Sequence, residues 1–296
     1  MDIADFHAIR RFVEVKSGRI AYFEKGSGPA ALFLHGVPVN GYHWRHVIDR
    51  VQDRRRCIAI DLMSLGYTEI SSAQDVSFTA QADMIAEVLD NLGIGTVDLV
   101  GNDSGGAIGQ IFAAQHPERL NSLVLTNCDV HDGWPPPQVL PIIEHAKNGT
   151  LAPIFKPVLD HPEIARERYA SGESVPLFRS YADPSGLTDD VIRLYLRPLF
   201  SSQQRIEAFQ NYWLGFDNAQ TVAIFPALKR LHVPTLIVWG LKDIFFDKKW
   251  AYWLKETIPG ARRVIEVADG RLFFPEDMPD ALTRPMLQFW EETADK

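Results

Sequence analysis

The chain has 296 residues, of which 46% are hydrophobic and 23% are charged, and its formal net charge at pH 7 is −8. This balance disfavours disorder and indicates one large globular domain, or one domain that carries an insertion. The negative charge would repel a phosphate backbone, so we expect no nucleic-acid partner. Because the N-terminus lacks a signal pattern and no apolar run approaches a membrane span, we expect a cytoplasmic protein without a membrane partner.

Apolar runs alternate with amphipathic segments along most of the chain. Residues 10–28 show the pattern of two strands around a Ser-Gly turn, and several of the later apolar runs end in glycine. The amphipathic segments carry apolar residues at helical spacing. The later predicted strands are residues 30–36, 57–62, 97–101, 120–128, 234–240 and 262–267, and the predicted helices are residues 77–93, 104–120, 248–260 and 279–292.

Continuous apolar strands that alternate with helices predict an α/β fold, with a mostly parallel, doubly wound sheet covered on both faces. Ligands of such sheets bind beyond the carboxyl ends of the strands. Segments that immediately follow a predicted strand are therefore candidates for the site. They are "HGVP" (35–38), "DLMSLGYT" (61–68), "GNDSGG" (101–106) and "GLKD" (240–243).

Residues 131–225 interrupt this alternation. The segment opens with a proline-rich stretch and contains several helix-like pieces rich in tyrosine and phenylalanine, and strand signals resume only near Thr235. We interpret it as a helical cap inserted over the carboxyl edge of the sheet. The predicted organisation is a core of residues 1–130 and 226–296 with a cap of residues 131–225.

The stretch "VGNDSGG" predicts a sharp strand-to-helix turn with Asp103 at its apex. The flanking glycines let the strand reverse abruptly, which pushes the central side chain into the site. The start of the following helix offers free N–H groups that keep a carboxylate ionised. Asp103 is thus the candidate nucleophile, with helix capping as the alternative. Ser104 is a competing nucleophile that would need Asn102 at the tight first position of the turn.

Taken together, these motifs resemble the α/β-hydrolase superfamily, and in particular its aspartate-nucleophile branch, the haloalkane dehalogenases and epoxide hydrolases. The resemblance covers nearly the whole chain and is much more specific for the fold than for the reaction. It implies an α/β-hydrolase core with a helical cap. The stretches that carry it, in the order of the family, are "HGVPVNGYHWRHVI", "DLMSLGYT", "LVGNDSGGAIG", "HPERL" and "WGLKDIFF".

The resemblance assigns roles residue by residue. It implies that Asp103 attacks an electrophilic carbon and forms an ester, a step for which an ionised carboxylate needs no base. It places the donors of an oxyanion hole on the backbone N–H groups of Val37 and Ser104, and it gives His35 a structural role. Asp243 falls at the position of the triad acid, with helix capping as the alternative.

The histidine of the family triad is missing from this chain. When Phe273, Glu276 and Pro279 are aligned with the late loop of the family, Leu272 occupies the histidine position, beside Arg271. Leucine has no proton site and arginine stays protonated, so neither can act as a base near neutral pH. General-base assistance contributes about 10²–10⁴-fold. Without a substitute base, the ester could form while turnover stalls.

His131 is the nearest candidate for a displaced base. Asp129 and Asp132 flank it and would orient its ring, and Asp129 is also a second candidate for the triad acid. A surface histidine at the hinge of the cap is the alternative. His43 and His46 are expected to face solvent, and no third ligand has the spacing for a metal site.

The positions that bind halide in the dehalogenases argue against dehalogenation here. Those enzymes usually carry a tryptophan after the nucleophile and many carry an asparagine in the preceding loop, where this chain has Ser104 and Val37. Epoxide hydrolases use cap tyrosines to donate to the epoxide oxygen. Residues 209–216, "FQNYWLGF", indicate an apolar lining and hence a small apolar or aromatic substrate. The candidate substrate-binding residues are Trp44, Leu272, Tyr169, Tyr181, Tyr195 and Tyr212.

Three functions remain open from the sequence. The first is an epoxide-hydrolase-like hydrolase with Asp103, Asp243 and His131 as its catalytic residues. The second is a non-hydrolytic lyase, isomerase or cyclase that uses Asp103 as a general base. The third is an inactive relative that only binds a ligand. We expect no cofactor, no metal, and buried free thiols at Cys57 and Cys128, and a homodimer stays open.

Overall fold

A nine-stranded sheet forms the centre of the computed structural model, which describes residues 1–173 and 175–294. The structure confirms the predicted strands and adds a two-residue strand, β5, that the sequence pattern did not indicate. The strands are β1 (Arg11–Val15), β2 (Gly18–Lys25), β3 (Ala30–Leu34), β4 (Arg56–Ile60), β5 (Glu69–Ile70), β6 (Val97–Asp103), β7 (Leu120–Cys128), β8 (Thr235–Gly240) and β9 (Ala261–Val267).

The strands lie in the order β1-β2-β4-β3-β6-β7-β8-β9, and β5 pairs with β2. β2 is antiparallel to both β1 and β4, whereas every pairing from β4 through β9 is parallel. All seven residues of β6 are buried, as expected for a strand covered on both faces. The prediction of a mostly parallel α/β sheet is therefore confirmed. The carboxyl ends of β3, β6, β7 and β8 meet at one edge of the sheet.

The helices begin and end where local signals predict. Ser77 accepts a hydrogen bond from the backbone N–H of Ala80 and so caps α3. The helix that follows the turn at Asp103 ends before Pro117. The α-helices are α1 (Ile3–Ile9), α2 (Arg45–Val51), α3 (Phe78–Asn91), α4 (Ser104–Gln115), α5 (Leu140–Lys147), α6 (Ala152–Asp160), α7 (Pro162–Ala170), α8 (Pro176–Arg179), α9 (Asp189–Leu196), α10 (Gln203–Leu214), α11 (Ala219–Ala223), α12 (Phe225–Leu228), α13 (Lys249–Thr257), α14 (Phe274–Asp277) and α15 (Pro279–Ala294).

The segment between β7 and β8 is helical. Its described residues form α5 to α12 and contain no strand. Thr188 and Ser202 cap α9 and α10 through their side chains, which explains why polar residues separate these short helices. α12 crosses the predicted boundary at residue 225, so the helical segment extends to Leu228. The division into core and cap remains a prediction.

Both cysteines are buried and free, as expected from the sequence. Among the described residues, no helix combines the length and the apolar character that a bilayer span requires.

Candidate active site

The predicted elbow is present at the end of β6. Asp103 is the last residue of the strand, and α4 begins at the next residue, Ser104. Asp103 has φ +56° and ψ −133°, a left-handed conformation that non-glycine residues rarely adopt. Residues held in such strained conformations cluster at functional sites. A Cβ on Gly101 would lie 2.7 Å from the backbone oxygen of Gly105, so the turn requires glycine there.

One oxygen of Asp103 is held by the loop that follows β3. The backbone N–H of Val37 donates to Asp103 Oδ2 at 2.9 Å. The approach is close enough that a Cβ on Gly36 would lie 2.1 Å from the same oxygen. The hydrogen bond therefore fixes the orientation of the Asp103 carboxylate at the cavity wall.

Burial controls the ionisation of Asp103. Its side chain lies out of water and this raises the pKa from the ordinary 3.8 to about 7. The backbone N–H groups of Val37 and Ser104 lower the pKa, and the nearby carboxylate of Asp243 raises it. A buried carboxyl with a pKa near neutrality can act as a nucleophile or as a base at physiological pH.

Asp129 lies one residue beyond the end of β7 and faces the same cavity as Asp103. The residue is 1% exposed, and neither carboxyl oxygen has a hydrogen-bond partner among the described residues. Burial, followed by the charge of Asp103, raises the pKa of Asp129 well above the usual range of an aspartate. Asp129 is therefore a carboxyl group whose surroundings favour its protonated form over its ionised form.

Asp243 lies behind the cavity at the end of β8. Its Oδ2 accepts from Asn127 Nδ2 at 2.8 Å and its Oδ1 accepts from the backbone N–H of Phe245 at 2.8 Å. Burial raises its pKa to about 7 against these hydrogen bonds. Asp243 occupies the place predicted for the triad acid, but the structure gives it an asparagine partner in place of a histidine.

Leu272, which the resemblance predicts at the position of the family histidine, lines the cavity. Its side chain is 4% exposed. The backbone carbonyl of Leu272 accepts from Asn102 Nδ2 at 2.9 Å, and the same amide donates to Thr126 Oγ1 at 2.8 Å. This side of Asp103 is therefore apolar and held firmly in place.

The cavity is narrow and almost wholly apolar. Its volume is about 60 Å³. Trp213 and Phe216 are among its walls, which confirms the prediction that residues 209–216 contribute an apolar lining. The indole N–H of Trp213 is buried and has no hydrogen-bond partner within the described part of the chain. The remaining lining residues are Val37, Pro38, Asp103, Asp129, Pro136, Val139, Ile142, Phe155, Pro176, Leu177, Ser180, Phe245, Phe246 and Leu272.

His131 does not reach this cavity. Its Nδ1 lies 3.1 Å from Asp132 Oδ1, and its ring packs against Phe225 and Trp253, with centroids 5.4 and 4.8 Å away. It is not among the lining residues. The geometry gives no support to the hypothesis of a displaced base at His131, because Asp129, two residues earlier, takes the place at the cavity wall.

The tyrosines predicted to bind substrate contact other parts of the protein and do not line the cavity. Tyr169 stacks on Phe178 with ring centroids 5.5 Å apart, and the Tyr212 hydroxyl lies 2.7 Å from Ser104 Oγ. Ser104 is thus tied to a helix above the sheet, and its side chain is not a free nucleophile. Trp44 is fully buried against Phe33, so its predicted contact with substrate finds no support.

Glu276 is the centre of a buried polar cluster, which we call the Glu276 cluster. Its oxygens accept from Arg45 Nη1 at 2.5 Å, Tyr181 Oη at 2.7 Å and Tyr195 Oη at 2.9 Å. His43 Nδ1 lies 3.1 Å from Glu276 Oε2. The expectation that His43 faces solvent is therefore wrong, because its ring is fully buried against this carboxylate. Its neighbour His46 is partly buried.

Burial alone would raise the pKa of Glu276, but the charge of Arg45 and the hydrogen bond of His43 hold it at about 2. The cluster connects four helices. Tyr181 follows α8 and Tyr195 lies in α9, while Arg45 begins α2 and Glu276 lies in α14. The hydroxyls of Tyr181 and Tyr195 therefore serve in structural hydrogen bonds. Among the described residues, no group of histidine, cysteine and carboxylate side chains is arranged to hold a metal ion.

The charge of Asp243 predicts a pH effect. Because this carboxylate raises the pKa of Asp103, replacing Asp243 with Asn should lower the pKa of Asp103. A carboxyl group acts as a nucleophile or a base only when it is ionised, so an acidic limb of the kcat/KM profile that Asp103 controls is expected near pH 7 and should shift to lower pH in the variant. Profiles of the wild type and of Asp243→Asn measure the shift. An unchanged limb would show that Asp103 does not control it.

A family model for the alpha/beta hydrolase fold matches residues 29–277. A cis-3-alkyl-4-alkyloxetan-2-one decarboxylase of Shewanella oneidensis is 28% identical over 297 residues, covering 96% of this chain and 89% of that protein. Haloalkane dehalogenase 2 of Mycobacterium tuberculosis is 26% identical over 295 residues, covering 94% and 93%. The solved structure of the epoxide hydrolase CorEH superposes with a TM-score of 0.75 at 21% identity, covering 96% and 98%, and so supports the fold.

Proposed function

The chain belongs to the alpha/beta hydrolase fold family, and from that premise we propose that it opens small apolar epoxides with Asp103 as the nucleophile. It is an enzyme of that family, as the decarboxylase and dehalogenase relatives are. The observation that carries the proposal is the conformation of Asp103 and the way its carboxylate is held at the cavity. The residue is at the apex of a strained elbow, with one oxygen on the Val37 N–H and the other free to attack a carbon in the cavity.

The form of the cavity supports a small neutral substrate. An apolar wall offers little to a charged or strongly hydrated molecule, whose polar groups would lose water without gaining partners. An epoxide is such a substrate. Opening its strained ring releases ring strain, and this drives the reaction while the ring oxygen becomes the leaving group. The positions of Ser104 and Val37 lack the tryptophan and asparagine that would hold a halide, so an epoxide fits this site better than a haloalkane.

Isotope labelling tests the proposal. Styrene oxide is turned over once by excess enzyme in H₂¹⁸O, and the diol and the peptide that contains Asp103 are then weighed. Attack by Asp103 followed by water attack on the ester carbonyl leaves the diol unlabelled and adds one ¹⁸O to Asp103. The peptide that contains Asp243 is the internal control and should keep its mass. A labelled diol in the first turnover would show that water attacks the substrate directly.

A non-hydrolytic reaction is the second candidate function, because Leu272 makes the histidine position apolar and a relative at 28% identity is named a decarboxylase. In that reaction Asp103 would act as a nucleophile or general base and no ester would meet water. Consumption of a substrate in H₂¹⁸O without label in protein or product would favour it over hydrolysis. Binding of styrene oxide with no reaction at all would favour an inactive relative.

A further inference from the structure

The cavity holds a second carboxyl group that the family roles leave without a reaction step. We propose that Asp129 is a catalytic residue that serves first as the general acid and then as the general base of the reaction that Asp103 begins. This inference rests on the proposed function. It replaces two groups that the chain lacks at the cavity, the triad histidine and the tyrosine donors.

The sheet brings the two carboxyl groups together. β6 and β7 are parallel neighbours, and Asp103 is paired with Cys128 in their register. Asp129, the next residue, therefore leaves the sheet at the same edge as Asp103. Its backbone carbonyl accepts from Gln110 Nε2 at 2.9 Å, which fixes the chain at that point. Both side chains line the one cavity.

The surroundings of Asp129 indicate a carboxyl group whose hydrogen-bond partner is a ligand in the cavity. Buried polar atoms in folded proteins nearly always have a hydrogen-bond partner, and leaving one without a partner costs about 1–3 kcal/mol. Both oxygens of Asp129 are buried and lack a partner among the described residues. A substrate oxygen or a water in the cavity would supply the missing contact. A purely structural aspartate would instead be bonded to backbone or side-chain donors, as Asp243 is.

The hydrogen-bond donors decide which carboxyl carries a proton. Two carboxylates in an apolar cavity cannot both ionise easily, so one of them holds a proton. Asp103 has the N–H groups of Val37 and Ser104 to stabilise its negative charge, whereas Asp129 has, among the described residues, no donor other than its own backbone N–H. The proton therefore resides on Asp129. The other titratable groups near the pair are Cys128, Tyr212 and Asp243, and none of them is among the residues that line the cavity.

The proton on Asp129 balances both steps of the reaction. In the first, Asp103 Oδ1 forms a bond to a ring carbon, the ring C–O bond breaks, and the Asp129 O–H gives its proton to the departing oxygen. The products are a hydroxyalkyl ester on Asp103 and an ionised Asp129. In the second, Asp129 takes a proton from water, the hydroxide adds to the ester carbonyl, and collapse of the adduct releases the diol. The departing ester oxygen takes the proton that Asp129 holds, and the new carboxyl group of Asp103 then passes its proton to Asp129, which restores the starting state.

No other lining side chain can perform this exchange. Asp103 and Asp129 are the titratable residues among those described at the cavity wall, and the rest are apolar apart from Ser180 and the indole N–H of Trp213. Ser180 donates its hydroxyl to the backbone of Pro176 at 3.1 Å. One carboxyl that acts as nucleophile, beside a second that serves first as acid and then as base, is the arrangement by which retaining glycosidases work.

Three variants test the inference on the full chain. Asp129→Asn keeps the shape but loses the proton exchange, and it should lower kcat for styrene oxide about 10²–10⁴-fold. Because ester hydrolysis loses its base, intact-mass spectra should show a substrate adduct on Asp103 that decays slowly. Asp129→Ala opens space beside the ester, and added formate should restore part of the activity. Asp132→Asn, three residues along the loop and exposed to solvent, is the matched control and should keep wild-type kcat.

The outcomes separate this inference from the proposed function. If the wild type does not convert styrene oxide, the proposed function fails and the inference fails with it. If the wild type is active and Asp129→Asn stays within about twofold of it, the inference alone is overturned. Loss of activity in a folded Asp129→Asn that shows neither an adduct nor formate rescue in its alanine counterpart would make Asp129 structural and would also overturn it.

Discussion

Replacement of Asp103 with Asn is expected to lower kcat by about 10⁴–10⁶-fold, the range found when a nucleophile or its essential partner is removed from a hydrolase. The amide keeps the size of the side chain and can still accept from the Val37 N–H. It cannot form the ester. Steady-state kinetics with styrene oxide measure the loss, and intact-mass spectra should show no adduct. Activity within about tenfold of the wild type would remove Asp103 from the mechanism.

The same variant should be more stable than the wild type at pH 8. The folded-state pKa of Asp103 is raised to about 7 from an ordinary 3.8. A raised pKa stabilises the folded state below the unfolded pKa, and this contribution is lost as the pH rises through the folded value. At pH 8 the wild type folds with an unfavourable buried charge that the amide lacks. Thermal unfolding at pH 8 and pH 4 should therefore show a gain in Tm for Asp103→Asn that is larger at pH 8.

Replacement of Glu276 with Ala is expected to lower the free energy of unfolding by about 3–5 kcal/mol, the usual cost of removing one partner from a buried ion pair. Arg45 would keep its charge at 5% exposure without a counter-ion, and two tyrosine hydroxyls would lose their acceptor. Urea denaturation at pH 7 measures the change. The control is Glu291→Ala, which removes an ion pair between exposed side chains 3.0 Å apart and should change stability by less than about 1 kcal/mol.

The pH dependence of this effect has the opposite sign to that of Asp103. The pKa of Glu276 is held at about 2, below its ordinary 4.5. Its ion pair therefore contributes stability above pH 4.5 and loses it as the pH falls toward 2. The difference between the wild type and Glu276→Ala should shrink when the urea experiment is repeated at pH 3. A constant difference would mean that lost packing, and not the charge, causes the destabilisation.

The fold could be predicted because its signals are local. Runs such as residues 30–36 and 97–101 are apolar throughout, and the turn around Asp103 needs glycines at fixed places, so both can be identified without knowledge of distant contacts. The apolar wall at residues 209–216 was found for the same reason. β5 is only two residues long and gives no periodic signal, which is why the sequence pattern did not indicate it.

The site was harder to predict because its contacts join distant parts of the chain. His43 and Glu276 are 233 positions apart, so spacing along the helix after β3 could not show that this histidine is buried. The tyrosines were predicted from their location in the helical segment, but the hydroxyls of Tyr181, Tyr195 and Tyr212 bind Glu276 or Ser104. His131 and Asp129 differ by two positions, and only the course of the chain beyond β7 decides which of them faces the cavity.

The contact between the Val37 amide and Asp103 also bears on inhibition. In the structure this amide already donates a hydrogen bond to the carboxylate of Asp103. To bind this amide, chloride, acetate or a carboxylate product would have to displace the Asp103 carboxylate. The anion would then lie in the cavity close to the negative charge of Asp103. Simple anions should therefore be poor competitors, and the molecules that compete best should be neutral ones that mimic the ring before it opens.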